Sequence, residues 1–371
     1  MKTRAGILWE APGAWSIEEI ELDDPGPTEL LVELAATGLC HSDDHFTTGD
    51  MVGTLPMIGG HEGAGVVREV GPEVHGFSAG DHVITSFVPS CGVCKWCSLG
   101  LQNLCDEGAA ILAGTQPAGG YRAHARGRDI GTMGALGTFA EWQVFDQRSL
   151  VKIDPELPLE TACLVSCGVQ TGFGSSINAA NVRPGDVVLI LGAGGIGMNA
   201  VQGAAMAGAS HVVVVDPAPS KKDYAPQFGA TEVFDNFRDA LKFVRSVTNG
   251  QGADSAIVCV GVVRNEHIGQ ALYAIRKAGT VVVTGIGSDH EEAVVRGLNA
   301  FQIAMLQKRI QGVLFGMGSP RQAMPMLLDL YKKGQLKLDE LITRRYKLDE
   351  LNRGYEDMRS GVNIRGIISY H

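Results

Sequence analysis

The first 150 residues alternate short apolar runs with turns, a pattern typical of β-strands. The runs are rich in Val, Ile, Thr and Trp, and Gly, Pro and Asp bound them. The predicted strands are Thr3–Trp9, Trp15–Leu22, Leu30–Thr37, Gly65–Val70, Asp81–Ser86 and Thr138–Phe145. Residues 106–136 are rich in Gly and Ala without a clear period, so we expect a long loop there.

From about residue 170 most apolar runs lose their alternation, as expected for strands that are covered on both faces. These runs are Val187–Leu191, Val212–Val215, Glu232–Phe234, Ala256–Val260, Val281–Thr284 and Gln311–Phe315. Between them lie the helical segments Ile196–Ala207, Lys221–Phe228, Asp239–Val247 and Glu266–Lys277. Alternating strands and helices predict a doubly wound parallel sheet of about six strands.

The C-terminal tail has two helical segments and a final apolar run, Arg321–Lys332, Leu348–Arg359 and Ile364–Tyr370. We expect this tail to pack back on the β-rich part and to make that domain discontinuous. The sequence therefore predicts an α/β protein with two domains. Residues 1–168 and 315–371 form the β-rich domain, and residues 169–314 form the parallel-sheet domain.

Composition excludes several classes of protein. The chain has 371 residues, 45% hydrophobic and 19% charged, which suits a large core and excludes disorder. A net charge of −10 argues against nucleic acid as a partner, because phosphate binding needs a basic face. Apolar runs are too short for a membrane span or a signal-peptide core. We expect a cytoplasmic location, where clustered cysteines indicate metal or catalysis and not disulfides.

A glycine-rich turn follows the first strand of the predicted parallel sheet. Residues 192–197 read Gly-Ala-Gly-Gly-Ile-Gly, and they lie between an apolar strand and a helix. Glycines in this pattern permit a tight turn, let the backbone approach a pyrophosphate and let helix and strand pack closely. Asp216 ends the next strand, where a carboxylate accepts from ribose hydroxyls and repels a 2′-phosphate. The pattern predicts an NAD(H) site.

Four cysteines lie within 15 residues, at Cys91, Cys94, Cys97 and Cys105. Four thiolates complete the tetrahedral coordination of zinc and leave no open position, so this lobe predicts a structural metal. Unbound thiols and a nucleic-acid-binding zinc finger are the alternatives. The acidic balance and the lack of a basic helix beside the lobe disfavour the finger.

Spacing alone assigns no role to Cys40, His61 and Cys167, because a lone cysteine is most often a small buried residue. The chain nevertheless resembles the zinc-dependent medium-chain alcohol dehydrogenases over essentially its whole length. The motifs that carry the resemblance are residues 38–43, 60–65, 91–105, 167–172, 192–197 and Asp216. It implies a GroES-like catalytic domain and a Rossmann domain, with two zinc ions and NAD(H) per subunit.

The resemblance also implies residue roles. Cys40, His61 and Cys167 match the catalytic zinc ligands, and the cysteine quartet matches the structural zinc site. Glu62 matches a carboxylate near the metal, and Asp43 matches one that orients His61. Ser42 matches the hydroxyl that takes the alcohol proton, and His45 matches the outer histidine of that relay. Phe87 matches a substrate-pocket position. The positions that match cofactor contacts are His41, Thr171, Gly192, Gly194, Gly195, Ile196, Gly197, Asp216, Lys221, Ile286 and Arg365.

Within the family, the chain looks most like the actinobacterial enzymes that retain NAD(H) and use nitrosodimethylaniline as an acceptor. The segments Pro89–Asp106, Tyr121–Arg128, Leu136–Trp142 and Val182–Gly208 carry that likeness. Glutathione-dependent formaldehyde dehydrogenase (S-hydroxymethylglutathione dehydrogenase) is the runner-up. That branch typically has Tyr at the position of His45. A zinc or redox sensor without catalysis is an alternative outside the class.

The expected activity is oxidation of an alcohol to an aldehyde, or the reverse, by hydride transfer to or from NAD. The expected partners are a small alcohol or aldehyde and an unidentified electron acceptor, with no nucleic acid and no membrane. By the resemblance we also expect a homodimer or a homotetramer.

Overall fold

A computed structural model describes residues 1–287, 295 and 298–370. Its strands are β1 (Lys2–Leu8), β2 (Ser16–Leu22), β3 (Glu29–Gly38), β4 (Met57–Ile58), β5 (Glu62–Val70), β6 (His82–Thr85), β7 (Ala123–Ala125), β8 (Arg128–Thr132), β9 (Trp142–Asp146), β10 (Leu150–Ile153), β11 (Val187–Leu191), β12 (His211–Val215), β13 (Glu232–Phe234), β14 (Ala253–Val258), β15 (Ile275–Val283), β16 (Arg309–Gly312), β17 (Ile342–Tyr346) and β18 (Arg365–Ser369).

The α-helices are mostly short. They are α1 (His41–Thr48), α2 (Lys95–Ser98), α3 (Leu159–Ala162), α4 (Gly168–Gly174), α5 (Gly195–Met206), α6 (Lys221–Tyr224), α7 (Phe237–Val247), α8 (Asn265–Ala274), α9 (Ala300–Leu306), α10 (Pro320–Lys332) and α11 (Leu351–Arg359). Among the described residues, no helix has the length and apolar character needed to cross a membrane.

The chain divides into two compact units, residues 1–167 with 319–371 and residues 168–318. The sequence prediction had put the divisions at 168/169 and 314/315. Residues 315–317 lie with the second unit because side chains of that unit hold their backbone. Gln170 Nε2 donates to the Phe315 carbonyl at 2.9 Å, and Asn178 Nδ2 donates to the Gly316 carbonyl at 2.8 Å.

The first unit contains a closed barrel, β1-β2-β7-β8-β4, and a sheet in the order β10-β6-β5-β3-β18-β17, to which β9 adds by pairing with β3. The tail strand β18 pairs antiparallel with β3, so the C-terminal segment adds to this sheet. Trp15, Phe139 and Tyr355 pack together in the apolar core at ring distances of 5.3 to 6.4 Å.

The second unit is a six-stranded parallel sheet in the order β13-β12-β11-β14-β15-β16. The central strand β11 reads Val-Val-Leu-Ile-Leu and is buried at all five positions. This continuous burial explains why its sequence shows no alternation. The α/β fold and the parallel sheet of six strands are confirmed.

Two local predictions were wrong. Residues 106–136 are not one long loop, because β7 and β8 pair antiparallel and β8 also pairs with β4 inside the barrel. Three- and five-residue strands are too short to reveal a period of two. The predicted helix Glu266–Lys277 ends at Ala274, and β15 begins at Ile275 without an intervening loop.

His124 joins two parts of the barrel. Its Nδ1 lies 2.9 Å from Asp129 Oδ1, and its Nε2 lies 2.9 Å from Asp23 Oδ2. Both nitrogens face carboxylates, so the imidazolium is the form that donates to both of them. The hydrogen bond to Asp23 raises the pKa of His124, burial opposes that shift, and the contact with Asp129 adds to the rise.

We expect His124→Gln to lower the melting temperature by about 2 °C at pH 6, with a smaller loss as pH rises. A raised folded-state pKa stabilises the fold fully below the unfolded value of about 6.5, and this stabilisation disappears as pH rises through the folded-state pKa. Thermal scans from pH 6 to 9 measure the difference from the wild type. The exposed His75→Gln is the control, and a loss independent of pH would contradict the assignment.

Candidate metal centres and dinucleotide turn

Four potential metal ligands converge in the first unit. Cys40 follows β3 and precedes α1, His61 and Glu62 lie at the start of β5, and Cys167 follows a helical turn at 163–166. All four are buried, and one ligand atom from each lies within 4.8 Å of all the others. Residues from three distant parts of the sequence therefore meet in one volume, which spacing alone could not predict.

Asp43 holds the histidine of this group in place. Its Oδ1 accepts a hydrogen bond from the Gly60 amide at 2.7 Å, and its Oδ2 lies 3.1 Å from His61 Nδ1. Asp43 is fully buried. Thr85 Oγ1 donates to the His61 carbonyl at 2.8 Å, a contact that the sequence did not reveal. The backbone and the ring of His61 are therefore both constrained, which leaves Nε2 for the ligand group.

Glu62 and Arg365 form a buried ion pair beside the ligands. An Arg365 Nη atom donates to Glu62 Oε2. A Cβ atom at Gly38 would collide with that carboxylate, so glycine at this position permits the pairing. Burial raises the pKa of Glu62 to about 7, against the attraction of Arg365, which lowers it. The family resemblance implies that Arg365 contacts the cofactor. In the structure, Arg365 forms an ion pair with Glu62.

The two thiols affect each other's pKa. Hydrogen bonding with Cys167 holds the pKa of Cys40 well below its usual range, against the effect of burial and with further help from His61. The same bond and burial raise the pKa of Cys167. Burial lowers the pKa of His61, but Asp43 and Cys40 outweigh that effect and raise it. Two sulfurs, one imidazole and one carboxylate in a buried volume are the donor set that zinc takes, so the residues fit a zinc ion.

The cysteine lobe, residues 91–105, forms a second cluster whose four ligand atoms lie within 4.8 Å of one another. Cys91 and Cys97 have their sulfurs 3.9 Å apart, and so do Cys94 and Cys105. Four sulfurs held about 2.3 Å from one zinc ion are about 3.8 Å apart, so the spacing fits a tetrahedral site.

Backbone amides of the lobe point at its sulfurs. The amides of Cys91, Cys94 and Cys97 donate to the sulfurs of Cys105, Cys91 and Cys94 at 3.3 to 3.5 Å. Amide hydrogen bonds from Asp106 and Cys97 lower the pKa of Cys94 to about 6, whereas burial raises that of Cys97 to about 12. The backbone amides thus favour the thiolate form of Cys94, the form in which cysteine binds zinc.

The predicted relay residues lie on α1. Ser42 Oγ is 3.6 Å from Cys40 Sγ, so the hydroxyl lies beside the four potential metal ligands. His45 is buried, and its Nδ1 lies 3.4 Å from Asp50 Oδ2. Ser42 and His45 are three residues apart and share one helix face. His41 is exposed at the start of the helix. Phe87 meets the His61 ring edge-on, with centroids 5.8 Å apart.

The glycine-rich turn in the second unit has the geometry that its sequence predicts. Gly192 has φ of 93°, a conformation that favours glycine. A Cβ at Gly197 would overlap the Gly192 carbonyl, so the first turn of α5 packs on the end of β11. Asp216 Oδ2 accepts from the Ala193 amide at 2.8 Å, and its Oδ1 accepts from the Ala218 amide at 2.9 Å. These two hydrogen bonds hold the Asp216 carboxylate against the glycine-rich turn.

The other predicted cofactor residues of this unit are distributed around the turn. Lys221 is buried at the start of α6; burial lowers its pKa, and Asp216 opposes that shift. Gly194 precedes α5 and Gly195 begins it, with Ile196 in its first turn. Thr171 is buried in α4, and Ile286 is 38% exposed beyond β15. The residues fit a dinucleotide whose phosphates meet the N-terminus of α5.

Comparison with known proteins places this geometry in a family context. Residues 26–155 match the model described as alcohol dehydrogenase GroES-like domain, and residues 195–333 match that of zinc-binding dehydrogenase. Putative alcohol dehydrogenase D of Mycobacterium tuberculosis is 49% identical over 99% of this chain and 100% of its own. NDMA-dependent alcohol dehydrogenase of Amycolatopsis methanolica is 47% identical over 100% of this chain and 99% of its own.

More distant matches agree with that grouping. S-(hydroxymethyl)glutathione dehydrogenase of Komagataella pastoris is 36% identical over 100% of this chain and 98% of its own. The crystal structure of benzyl alcohol dehydrogenase from Acinetobacter calcoaceticus superposes with a TM-score of 0.91 at 29% identity, and each chain is fully covered.

Substitutions in the two clusters should separate their roles. We expect Cys94→Ser to lose about one zinc per chain and to lower the melting temperature by several degrees, while activity survives at first. Cys40→Ser should lose the other zinc and the activity, with a smaller effect on melting. Elemental analysis of purified protein together with thermal scans measures both. Full zinc content in Cys94→Ser, or an active Cys40→Ser, would contradict the assignment.

Proposed function

Because the chain belongs to the family of zinc-dependent alcohol dehydrogenases, we propose that it interconverts a small-molecule alcohol and its aldehyde by hydride transfer to or from NAD. The observation that carries this proposal is the buried convergence of Cys40, His61, Glu62 and Cys167. Three of these residues are the Cys₂His ligand set that alcohol dehydrogenases use.

The first unit supplies the site at which the alcohol reacts. Cys40, His61 and Cys167 would hold a zinc ion, whose Lewis acidity would lower the pKa of an alcohol hydroxyl. Asp43 keeps His61 oriented through its contact with Nδ1. The carboxylate of Glu62, which pairs with Arg365, is a further potential metal ligand close to these three residues. Phe87 gives one wall of the site an aromatic edge, which favours an apolar group on the substrate.

Proton removal is assigned to α1. Ser42 accepts the proton of the alcohol hydroxyl, since its Oγ lies next to the Cys40 ligand. His45, on the same helix face, receives the proton and passes it on. Its contact with Asp50 orients the imidazole for that role. General acid–base groups of this kind contribute about 10²- to 10⁴-fold to a rate.

The second unit supplies the site for the dinucleotide. NAD, when bound, supplies the hydride acceptor. The N-terminus of α5 receives the phosphates, and Asp216 accepts from ribose hydroxyls while repelling a 2′-phosphate. Lys221 adds a cation near Asp216.

We assign the chain to the branch that retains NAD(H) and delivers electrons to an external acceptor. The support is 47% identity to an NDMA-dependent enzyme, against 36% to S-(hydroxymethyl)glutathione dehydrogenase. His45, where the second branch typically has Tyr, points the same way. A cytoplasmic location and a homodimer or homotetramer stay predictions. A sensor without catalysis is disfavoured, because the complete ligand set is present.

Retention of the cofactor can be tested directly. We expect exhaustively dialysed protein to keep a near-ultraviolet band of reduced nicotinamide, or to develop one when an alcohol is added without NAD. The band should disappear on addition of nitrosodimethylaniline. Steady turnover that depends entirely on added NAD, with no band, would contradict retention while leaving the hydride chemistry intact.

The relay can be tested at its outer member. We expect His45→Gln to reduce kcat about 10- to 100-fold with a small effect on KM, because the proton loses its carrier. Added imidazole should restore part of the rate. Asp50→Asn, which keeps His45, is the matched control and should lose less. Unchanged turnover in His45→Gln, or a loss that imidazole cannot relieve, would contradict the relay.

A further inference from the structure

One arginine contacts both ends of the cysteine lobe. Ser90, the residue before Cys91, donates its amide to the Arg148 carbonyl at 3.0 Å. Glu107, two residues after Cys105, places its Oε1 3.1 Å from Arg148 Nη1. Arg148 lies between β9 and β10, outside the lobe. The two ends of the lobe are therefore joined through a residue that comes more than 40 positions later in the chain.

Arg148 is itself held firmly. Its Nε and Nη2 donate to the two oxygens of Asp146 at 2.7 and 2.8 Å, and its amide donates to Oδ1 at 2.9 Å. Asp146 is fully buried and also accepts from Thr28 Oγ1 at 2.9 Å. Exposed ion pairs contribute little to stability because the side chains stay mobile. This bidentate pair is different, because the buried carboxylate fixes the guanidinium before it meets Glu107.

The backbone on either side of this arginine strengthens the attachment. Ser86 donates its amide to the Ser149 carbonyl at 2.8 Å, so residues 86–90 lie along residues 148–149. The segment that leads into Cys91 is thus fixed at two points, Ser86 and Ser90. Closing the lobe then orders fewer free residues, and the entropy cost of bringing the four sulfurs together falls.

We propose that Arg148 is a positioning residue that keeps the cysteine lobe closed around its metal by joining Ser90 to Glu107. This inference rests on the proposed assignment of the quartet as a zinc site. It extends that assignment to a residue that is neither a ligand nor part of the lobe, and that no cysteine motif would identify.

The test is the rate at which the purified holoenzyme gives up zinc to the chromogenic chelator pyridylazoresorcinol. We expect Arg148→Gln to release one of its two zinc ions about 10- to 100-fold faster than the wild type. Alkylation mapped by mass spectrometry should then modify Cys91 to Cys105 and spare Cys40 and Cys167. Arg148→Lys, which keeps the charge but loses the fork, should be intermediate.

Glu107→Gln supplies a second route if Arg148→Gln does not fold. Its side chain is 32% exposed, so the fold should tolerate the change. We expect faster release from the quartet, and no further acceleration when it is combined with Arg148→Gln. Arg126→Gln removes a comparable bidentate arginine, which pairs with Glu18 far from the lobe in sequence, and should leave both release rates unchanged.

Three results would overturn the proposal. These are wild-type release rates in Arg148→Gln or Glu107→Gln, equal acceleration of both zinc ions, and the same acceleration in Arg126→Gln. The second and third would indicate a general loss of stability. A wild-type protein that carries no zinc on the quartet would instead remove the metal assignment, and the present inference with it.

Discussion

Several ionisable groups share one buried volume in the first unit, and much of its architecture serves to make that burial possible. Charges away from water are costly unless each has a partner. Here Glu62 has Arg365, and His61 has Asp43. The sulfurs of Cys40 and Cys167 lie within 4.8 Å of each other in the same group. Arg365 comes from the far end of the chain, so its strand must pair with the sheet before the charge of Glu62 is compensated.

This requirement explains the position of the C-terminal strand. Arg365 opens β18, which pairs with β3, the strand that leads to Cys40. Glu62 opens β5 on the other side of β3, opposite Gly38. Because Gly38 has no side chain, the carboxylate and the guanidinium meet across the end of β3. Because the C-terminal segment returns to this unit, the guanidinium of Arg365 can pair with the carboxylate of Glu62, 303 residues earlier in the chain.

The contrast between the two metal centres shows what the sequence could predict. The cysteine quartet lies within 15 residues, so its spacing alone predicts a metal site. The glycine-rich turn lies within six residues, and its prediction also needed the flanking strand and helix and Asp216. Cys40, His61 and Cys167 required the family resemblance, because their convergence depends on sheet pairing across the whole unit. Neither route identified the pairing of Arg365 with Glu62 or the contact of Arg148 with Glu107. These contacts join side chains whose separation in sequence follows no period. The strands at 123–132 were missed because each is too short to show the two-residue period of a β-strand.

Two carboxylates in different units use the same device to fix a functional turn. Asp43 accepts from the amide of Gly60, the residue before His61, and turns its other oxygen toward the imidazole. Asp216 accepts from the amide of Ala193, inside the glycine-rich turn, and from that of Ala218. A carboxylate has about four lone-pair sites, so two backbone bonds leave Asp216 the capacity to accept from ribose hydroxyls. In the proposed function the same acid both shapes the turn and accepts from the sugar, so its removal should disturb the phosphate and ribose contacts together.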